Sequence, residues 1–348
     1  MRVLTNKFHT LCIILGSNCN FRCRYCMQHI GIKKPISNLN NFNRIKQFII
    51  DIAPKKILLW GGEPLLYWEQ FKEIVLFCRG VFSNIEITTI TNGSLLTQDK
   101  VDFINEYSVN IGLSNDAFAT VETRYIDILQ QPDKFALFKQ IKSKGINTVV
   151  SAKTQDLYKV WKYYDDLFGE FVNVNFDILK NFKNDIVLGN FNFNRFQETM
   201  NNLQQDYVLD ILHENYQGRA FLFFSPLMRL ANRQNNIHNN NQIAHLKCGT
   251  MNTVIVLDFN GNVYKCKNSD CIIGNISDLE SAKKNLEKDI SIPQWCKGCS
   301  YQNICDPTGC VVETEENKKD SCKINKIIYR AFYNALNTVM AISHHERK

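Results

Sequence analysis

Ser17-Asn18-Cys19-Asn20-Phe21-Arg22-Cys23-Arg24-Tyr25-Cys26 places three cysteines within eight residues, and their spacing decides how the rest of the chain is read. Iron–sulfur clusters are normally closed by four cysteines. A tight CxxxCxxC with no fourth cysteine nearby either recruits a distant ligand or leaves one iron of a four-iron cubane exchangeable, the arrangement of a reaction centre rather than of a structural cross-link. Zinc is the competing reading, but its usual unit is a C-x2-C or C-x4-C pair answered by a second pair elsewhere. The apolar run 8–16 (FHTLCIILG) precedes the cysteines and reads as a buried strand. The cysteines then fall in the loop at its C-terminal end, where parallel α/β folds place ligands.

The same rhythm continues along the chain. Residues 55–60 (KKILLW) read as a second strand, ending in Gly61, Gly62, Glu63 and Pro64 ahead of a helix over about 65–79. Two glycines let a backbone approach a ligand closely, and Pro64 suits the first helical turn. Taken alone, GGEP is an ordinary strand-to-helix turn. A third strand (84–91) ends at Thr91, Asn92 and Gly93, and Thr97 is placed to cap a helix over 97–107. A fourth strand ends at Ser114, Asn115 and Asp116, residue types that often do no more than form turns. A helix over 135–145 closed by Gly145, a strand over 146–153, a helix over 157–168 and a strand over 171–179 complete six βα units.

CxxxCxxC followed one βα unit later by GGE resembles the radical S-adenosylmethionine (radical SAM) enzymes. The resemblance implies an open, three-quarter (β/α)6 TIM-like barrel over 1–180. It also implies that Cys19, Cys23 and Cys26 hold a catalytic [4Fe-4S] cluster whose open iron chelates S-adenosyl-L-methionine, giving a 5′-deoxyadenosyl radical that abstracts hydrogen from a substrate. Cofactor contacts are implied for Tyr25 (its backbone near the adenine), for Gly61, Gly62 and Glu63 (at the methionyl ammonium), for Ser114 (at the ribose) and, more weakly, for Asp116.

The stretch 181–247 is rich in Asn and Gln and reads as a connector. Leu203, Tyr207, Leu209, Ile211 and Leu212 allow a helix there, residues 231–242 look like an exposed polar loop, and His213, His238 and His245 look solvated rather than ligating.

Cysteine density rises again over 248–322. Cys248, Gly261 and Cys266 form C-x12-G-x4-C around a hairpin turned at Asn260 and Gly261, and Cys296-x2-Cys299-x5-Cys305-x4-Cys310 is followed by Cys322. This part resembles the SPASM extension of peptide-modifying radical SAM enzymes, which carries two auxiliary [4Fe-4S] clusters. The resemblance implies that Cys248, Cys266 and Cys310 hold the first, and Cys296, Cys299, Cys305 and Cys322 the second. Two departures stand out: four residues rather than three separate Cys305 from Cys310, and the first cluster has no obvious fourth ligand. Cys271 can supply it, or the position is open. Residues 323–348 carry apolar side chains at Ile324, Ile327, Ile328, Ala331, Phe332, Ala335, Leu336 and Val339, the spacing of one helical face expected to pack on the barrel.

Composition limits the alternatives. No apolar run reaches the roughly 18 residues of a membrane span, and with no secretory signal a disulfide-rich module is disfavoured, so a soluble, cytoplasmic protein is expected, and the resemblance implies that it is oxygen-sensitive. The formal charge is +7. Three oxidised clusters on ten or eleven thiolates would bring about four to five negative charges, and no Lys/Arg run interleaved with aromatics marks a nucleic-acid groove. The expected substrate is a peptide or protein, modified by a thioether or carbon cross-link or by side-chain oxidation. A small molecule such as a sugar or aminocyclitol is the alternative enzyme reading, and a non-catalytic iron–sulfur or zinc module the reading from another class. Expected partners are an electron donor such as flavodoxin or ferredoxin and, since the barrel begins at once, a separate leader-recognition protein, unless the connector or nothing does that work. Relatives that oxidise a sulfatase Cys or Ser carry Asp, proposed as the base, directly after the cysteine matching Cys266. Lys267 stands there instead, and a lysine ammonium cannot accept a proton, which argues against sulfatase maturation and leaves Asp270 as the only nearby acid able to rescue it.

Overall fold

The computed structural model describes residues 8–26, 38–178, 191–235, 251, 253–288, 294–301, 304–305 and 315–345. Cys248 and Cys310, two of the implied ligands of the first auxiliary cluster, lie outside them, as do His238 and His245.

Six parallel strands alternate with helices in the order read from sequence. They are β1 (Thr10–Ile14), β2 (Lys56–Trp60), β3 (Glu86–Thr91), β4 (Val109–Ser114), β5 (Lys144–Val150) and β6 (Val174–Ile178). The helices between them are α1 (Phe42–Ile52), α2 (Trp68–Val81), α3 (Gln98–Glu106), the short α4 (Thr120–Arg124), α5 (Pro132–Gln140) and α6 (Leu157–Phe168). Side chains alternate across each strand. Leu11, Ile13, Ile57, Leu59, Ile87 and Ile111 therefore pack outward on Ile45, Ile49, Phe71, Ile74, Val75, Val101 and Ile104 of α1 to α3, each such burial contributing about 1.5–3 kcal/mol. Cys12, Ile14, Leu58 and Trp60 point to the other face.

The sheet continues past β1. Beyond the connector, β7 (Val254–Leu257) pairs in parallel with β1, Cys12 opposite Val256, and β8 (Asn262–Tyr264) and β9 (Ile272–Asn275) add antiparallel. One nine-stranded sheet results, ordered β6-β5-β4-β3-β2-β1-β7-β8-β9. The turn between β7 and β8 contains Gly261 at φ +76°, a left-handed conformation suited to glycine. The hairpin assigned to the small cysteine-rich domain thus extends the barrel's own sheet.

The connector carries two helices, α7 (Phe193–Leu212) and α8 (Arg219–Asn235). Helix α9 (Leu279–Lys288) follows β9, and α10 (Glu315–His345) is the last element. Phe196, Met200, Leu203 and Tyr207 of α7, Phe224 of α8 and Ile324, Ala331, Phe332 and Ala335 of α10 form a second core, which meets the barrel through Leu157 and Trp161 of α6 and Val150 of β5. Helix α10 accordingly packs on the connector helices rather than on the sheet itself.

Three local expectations are corrected. The helix read over 135–145 is α5, which starts earlier at Pro132 and stops at Gln140; Gly145 is inside β5, opposite Gly112, and closes no helix. The polar stretch from residue 231 is helical as far as Asn235, because α8 runs on through it. Helix α10 begins at Glu315 rather than after Cys322, so Cys322 is a helical residue. Among the described residues no helix is long and apolar enough to cross a membrane.

Candidate active site

All the loops singled out by sequence leave the sheet at the C-terminal ends of parallel strands, so they share one rim. The cysteine loop after β1 is fixed first by the GGE loop after β2. The Gly62 N–H donates to the Gly16 carbonyl at 3.0 Å, and the Glu63 N–H to the Asn18 carbonyl at 2.8 Å. A Cβ on Gly62 would collide with the carbonyl oxygens of Ser17 and Asn18. Sequence assigned the glycines to a close approach to a ligand; the close approach seen here is that of Gly62 to the cysteine loop. Tyr67 completes the contact, its hydroxyl accepting the Asn18 N–H at 2.7 Å.

Glu63 turns its carboxylate away from that loop and toward β3. Oε1 accepts the Thr91 hydroxyl at 2.6 Å and the Leu65 N–H at 3.0 Å, and Oε2 accepts the Asn92 N–H at 2.8 Å. Burial pushes the Glu63 carboxyl up, against the pull of those three donors. Asn92 relays the contact back to the cysteines: its amide nitrogen donates to Asn20 Oδ1 at 2.9 Å and lies 3.9 Å from Cys19 Sγ.

The three thiols of this loop are half-buried. The Phe21 N–H points at Cys19 Sγ at 3.4 Å, and the Cys26 N–H donates to the Cys23 carbonyl at 3.1 Å. Burial pushes the Cys19 thiol up and the Cys23 thiol up to about 11. Without a metal these groups carry their protons at neutral pH, and loading a metal releases them. Three soft thiols on one loop, with amide N–H groups turned toward the sulfur of Cys19, fit a cluster held by Cys19, Cys23 and Cys26.

Tyr25 is buried, and its hydroxyl donates to Asp116 Oδ2 at 2.5 Å. Asp116 is buried; it also accepts the Thr123 hydroxyl at 2.7 Å, the Val149 N–H at 2.9 Å and Arg124 Nε at 2.9 Å. The Asp116 side chain is thus committed to holding Tyr25. Ser114, at the C-terminal end of β4, is half-buried opposite Asn147 of β5. Sequence reasoning gave no role to Asn92, Thr123 or Arg124. For Asn92 the signal was its place at a strand's C-terminal end; for Thr123 and Arg124 there was none.

The later cysteines form two groups. Cys296, Cys299 and Cys305 meet Cys322 of α10 around one cavity, together with Trp295, Tyr301 and Tyr329. Burial pushes the Cys296 and Cys322 thiols up, while Lys326 pulls both down. Cys266 and Cys271 bracket the turn between β8 and β9, which the Lys265 N–H closes by donating to the Cys271 carbonyl at 2.9 Å. Cys266 is half-buried and Cys271 exposed. Lys267 sits with its ammonium 3.8 Å from the Trp60 ring centroid, over the end of β2. Among the described residues no three His, Cys, Asp or Glu side chains close on a single metal ion.

With the rim assembled, residues 13–120 match the Radical SAM superfamily. Those residues therefore carry a radical SAM domain, and that superfamily works with S-adenosylmethionine and a [4Fe-4S] cluster. Among individual proteins, it is 28% identical over 234 residues to GTP 3′,8-cyclase of Campylobacter jejuni, an alignment spanning 61% of this chain and 65% of that one. The chain thus spans just under two thirds of the length of that relative. It is 24% identical over 349 residues to the cysteine-type anaerobic sulfatase-maturating enzyme of Clostridium perfringens, covering 88% of this chain and 89% of the other. The fold is that of native anSMEcpe with bound AdoMet and Cp18Cys peptide, at a TM-score of 0.67 and 19% identity over 95% of this chain and 99% of that one.

Proposed function

We propose that the protein reductively cleaves S-adenosylmethionine and uses the resulting 5′-deoxyadenosyl radical to abstract hydrogen from a peptide or protein substrate. The observation that carries this reading is the loop set at one rim, in which Glu63, Asn92 and Tyr67 hold the Cys19, Cys23 and Cys26 loop in place. In this reading Gly61 and Gly62 bring backbone to the amino acid end of the cofactor, and Ser114 faces its ribose. Cys248, Cys266 and Cys310, with Cys271, would hold one auxiliary cluster, and Cys296, Cys299, Cys305 and Cys322 another. A low-potential protein such as flavodoxin or ferredoxin would supply the electron.

The peptide class is favoured over a small molecule by the extent of the likeness. The match to the sulfatase-maturating enzyme spans 88% of the chain, whereas the alignment to GTP 3′,8-cyclase spans 61%. Formylglycine formation itself is not the proposed reaction, because Lys267, held over Trp60, stands where a base is needed. The test is anaerobic: reconstituted enzyme, reductant and S-adenosylmethionine should release 5′-deoxyadenosine, and a short precursor peptide encoded beside its gene should change mass. Absence of 5′-deoxyadenosine from iron-replete enzyme overturns the reading, and formylglycine in a sulfatase peptide overturns the exclusion.

A further inference from the structure

Asp116 and Arg124 form the most deeply buried ion pair among the described residues, their side chains 1% and 8% exposed. Arg124 donates from Nε to Asp116 Oδ2 at 2.9 Å and from Nη2 to Oδ1 at 3.3 Å. Its guanidinium also lies 5.2 Å from the centroid of the Tyr25 ring, within the loop between Cys23 and Cys26. The neighbouring Thr123 carbonyl accepts the Arg24 N–H at 2.9 Å. The segment after β4 therefore grips the cysteine loop at both Arg24 and Tyr25 and brings two opposite charges beneath it.

A grip alone does not need charge. A neutral acceptor could hold the Tyr25 hydroxyl, and burying an ion pair is often no better for stability than apolar packing of the same volume. A buried charge does, however, act strongly on a redox centre, since the interaction is little screened at low local dielectric. The guanidinium lies over the ring of Tyr25, which stands between Cys23 and Cys26, so the buried positive charge is next to the loop that carries those thiols. Net charge, hydrogen bonds and exposure are the levers that set iron–sulfur potentials.

We propose that Arg124 is a positioning residue that also acts through its field, its charge, partly offset by Asp116, setting the reduction potential of the cluster on Cys19, Cys23 and Cys26. Uptake of one electron from an external low-potential reductant makes the cluster more negative, and a positive neighbour favours that state. The inference rests on reading these cysteines as cluster ligands. If wild-type protein holds no iron at this loop, that reading fails rather than the electrostatic claim.

Opposite substitutions separate field from scaffold. Wild type, Asp116→Asn, Arg124→Gln and Arg124→Lys are reconstituted without oxygen, assayed for iron and titrated potentiometrically by electron paramagnetic resonance, following the signal that is missing from protein with Ala at Cys19, Cys23 and Cys26. Asp116→Asn should move the midpoint to less negative values, Arg124→Gln to more negative ones, and Arg124→Lys should stay near wild type. Shifts of the same sign in the two neutralising variants, or no shift with iron retained, overturn the proposal. Should Arg124→Gln fail to keep its iron, Asp116→Asn with iron retained decides alone, because asparagine keeps the volume and removes the negative charge, at the cost of one amide N–H facing the donors that Asp116 accepts. A less negative midpoint then supports the proposal, and an unchanged or more negative one overturns it.

Discussion

The carboxylate of Glu63 reaches from the loop after β2 to the backbone N–H of Asn92 on the loop after β3, 2.8 Å away, and Asn92 in turn reaches the cysteine loop through Asn20. Three loops from three strands are tied by one buried acid. Glu63→Gln keeps the shape but turns an acceptor into a donor facing the N–H and hydroxyl groups. We expect a loss of about 1–3 kcal/mol, the cost of an unsatisfied buried group, read as a lower urea midpoint. An unchanged midpoint would show that the tie contributes nothing.

The same residue gives a pH dependence. Burial raises the Glu63 carboxyl above its ordinary value of 4.5, so the folded protein holds this proton more tightly than the unfolded chain does. Its contribution to stability is then greatest below the ordinary value and is lost as pH rises through the raised one. Wild type should lose more stability than Glu63→Gln between pH 4.5 and neutrality. Parallel stability curves for the two proteins would contradict this.

Gly62→Ala should act locally. The added methyl has nowhere to go except into the Ser17 and Asn18 carbonyls, so the cysteine loop must shift while the Cys296, Cys299, Cys305 and Cys322 cavity is untouched. Iron should fall by close to a third of roughly twelve atoms, with little change in the far-ultraviolet circular dichroism. Full iron with undiminished 5′-deoxyadenosine release would refute the stated role of this glycine.

Replacing Cys271 with Ala tests the first auxiliary site. If Cys271 is the fourth ligand, the variant loses close to four irons or changes the spectrum of one cluster only. Unchanged iron and spectra would mean that the site is open or completed by another group.

Much of this architecture was legible because βα periodicity is local. Helix α6 occupies the residues read for it, Leu157–Phe168, since Leu157, Val160, Trp161 and Tyr164 mark a buried face and Gly169 closes it in the left-handed region. The cysteine spacing and GGE were equally plain. What sequence could not show depends on encounters across the fold. Thr97 sits at the N-cap of α3 but makes no side-chain cap bond. Arg124 gains its meaning only by meeting Asp116 and Tyr25. The helices α7 and α8 hide among Asn and Gln because their apolar residues serve a second core completed by α10, which begins more than a hundred residues after α7 ends.

The parallel pairing of β1 with β7 sets Leu11 beside Ile255, Ile13 beside Leu257. Among the described residues no other strand pair is so far apart along the chain, and such closure carries a large loop-entropy cost before any contact rewards it. Until residue 257 has been synthesised and docked, β1 presents a bare hydrogen-bonding edge beside apolar Leu11 and Ile13, the kind of edge that recruits other chains. A fragment ending in the connector would keep all six βα units and still be prone to aggregate. The cysteine-rich end therefore acts as an edge guard for the nascent barrel, independently of any iron it carries.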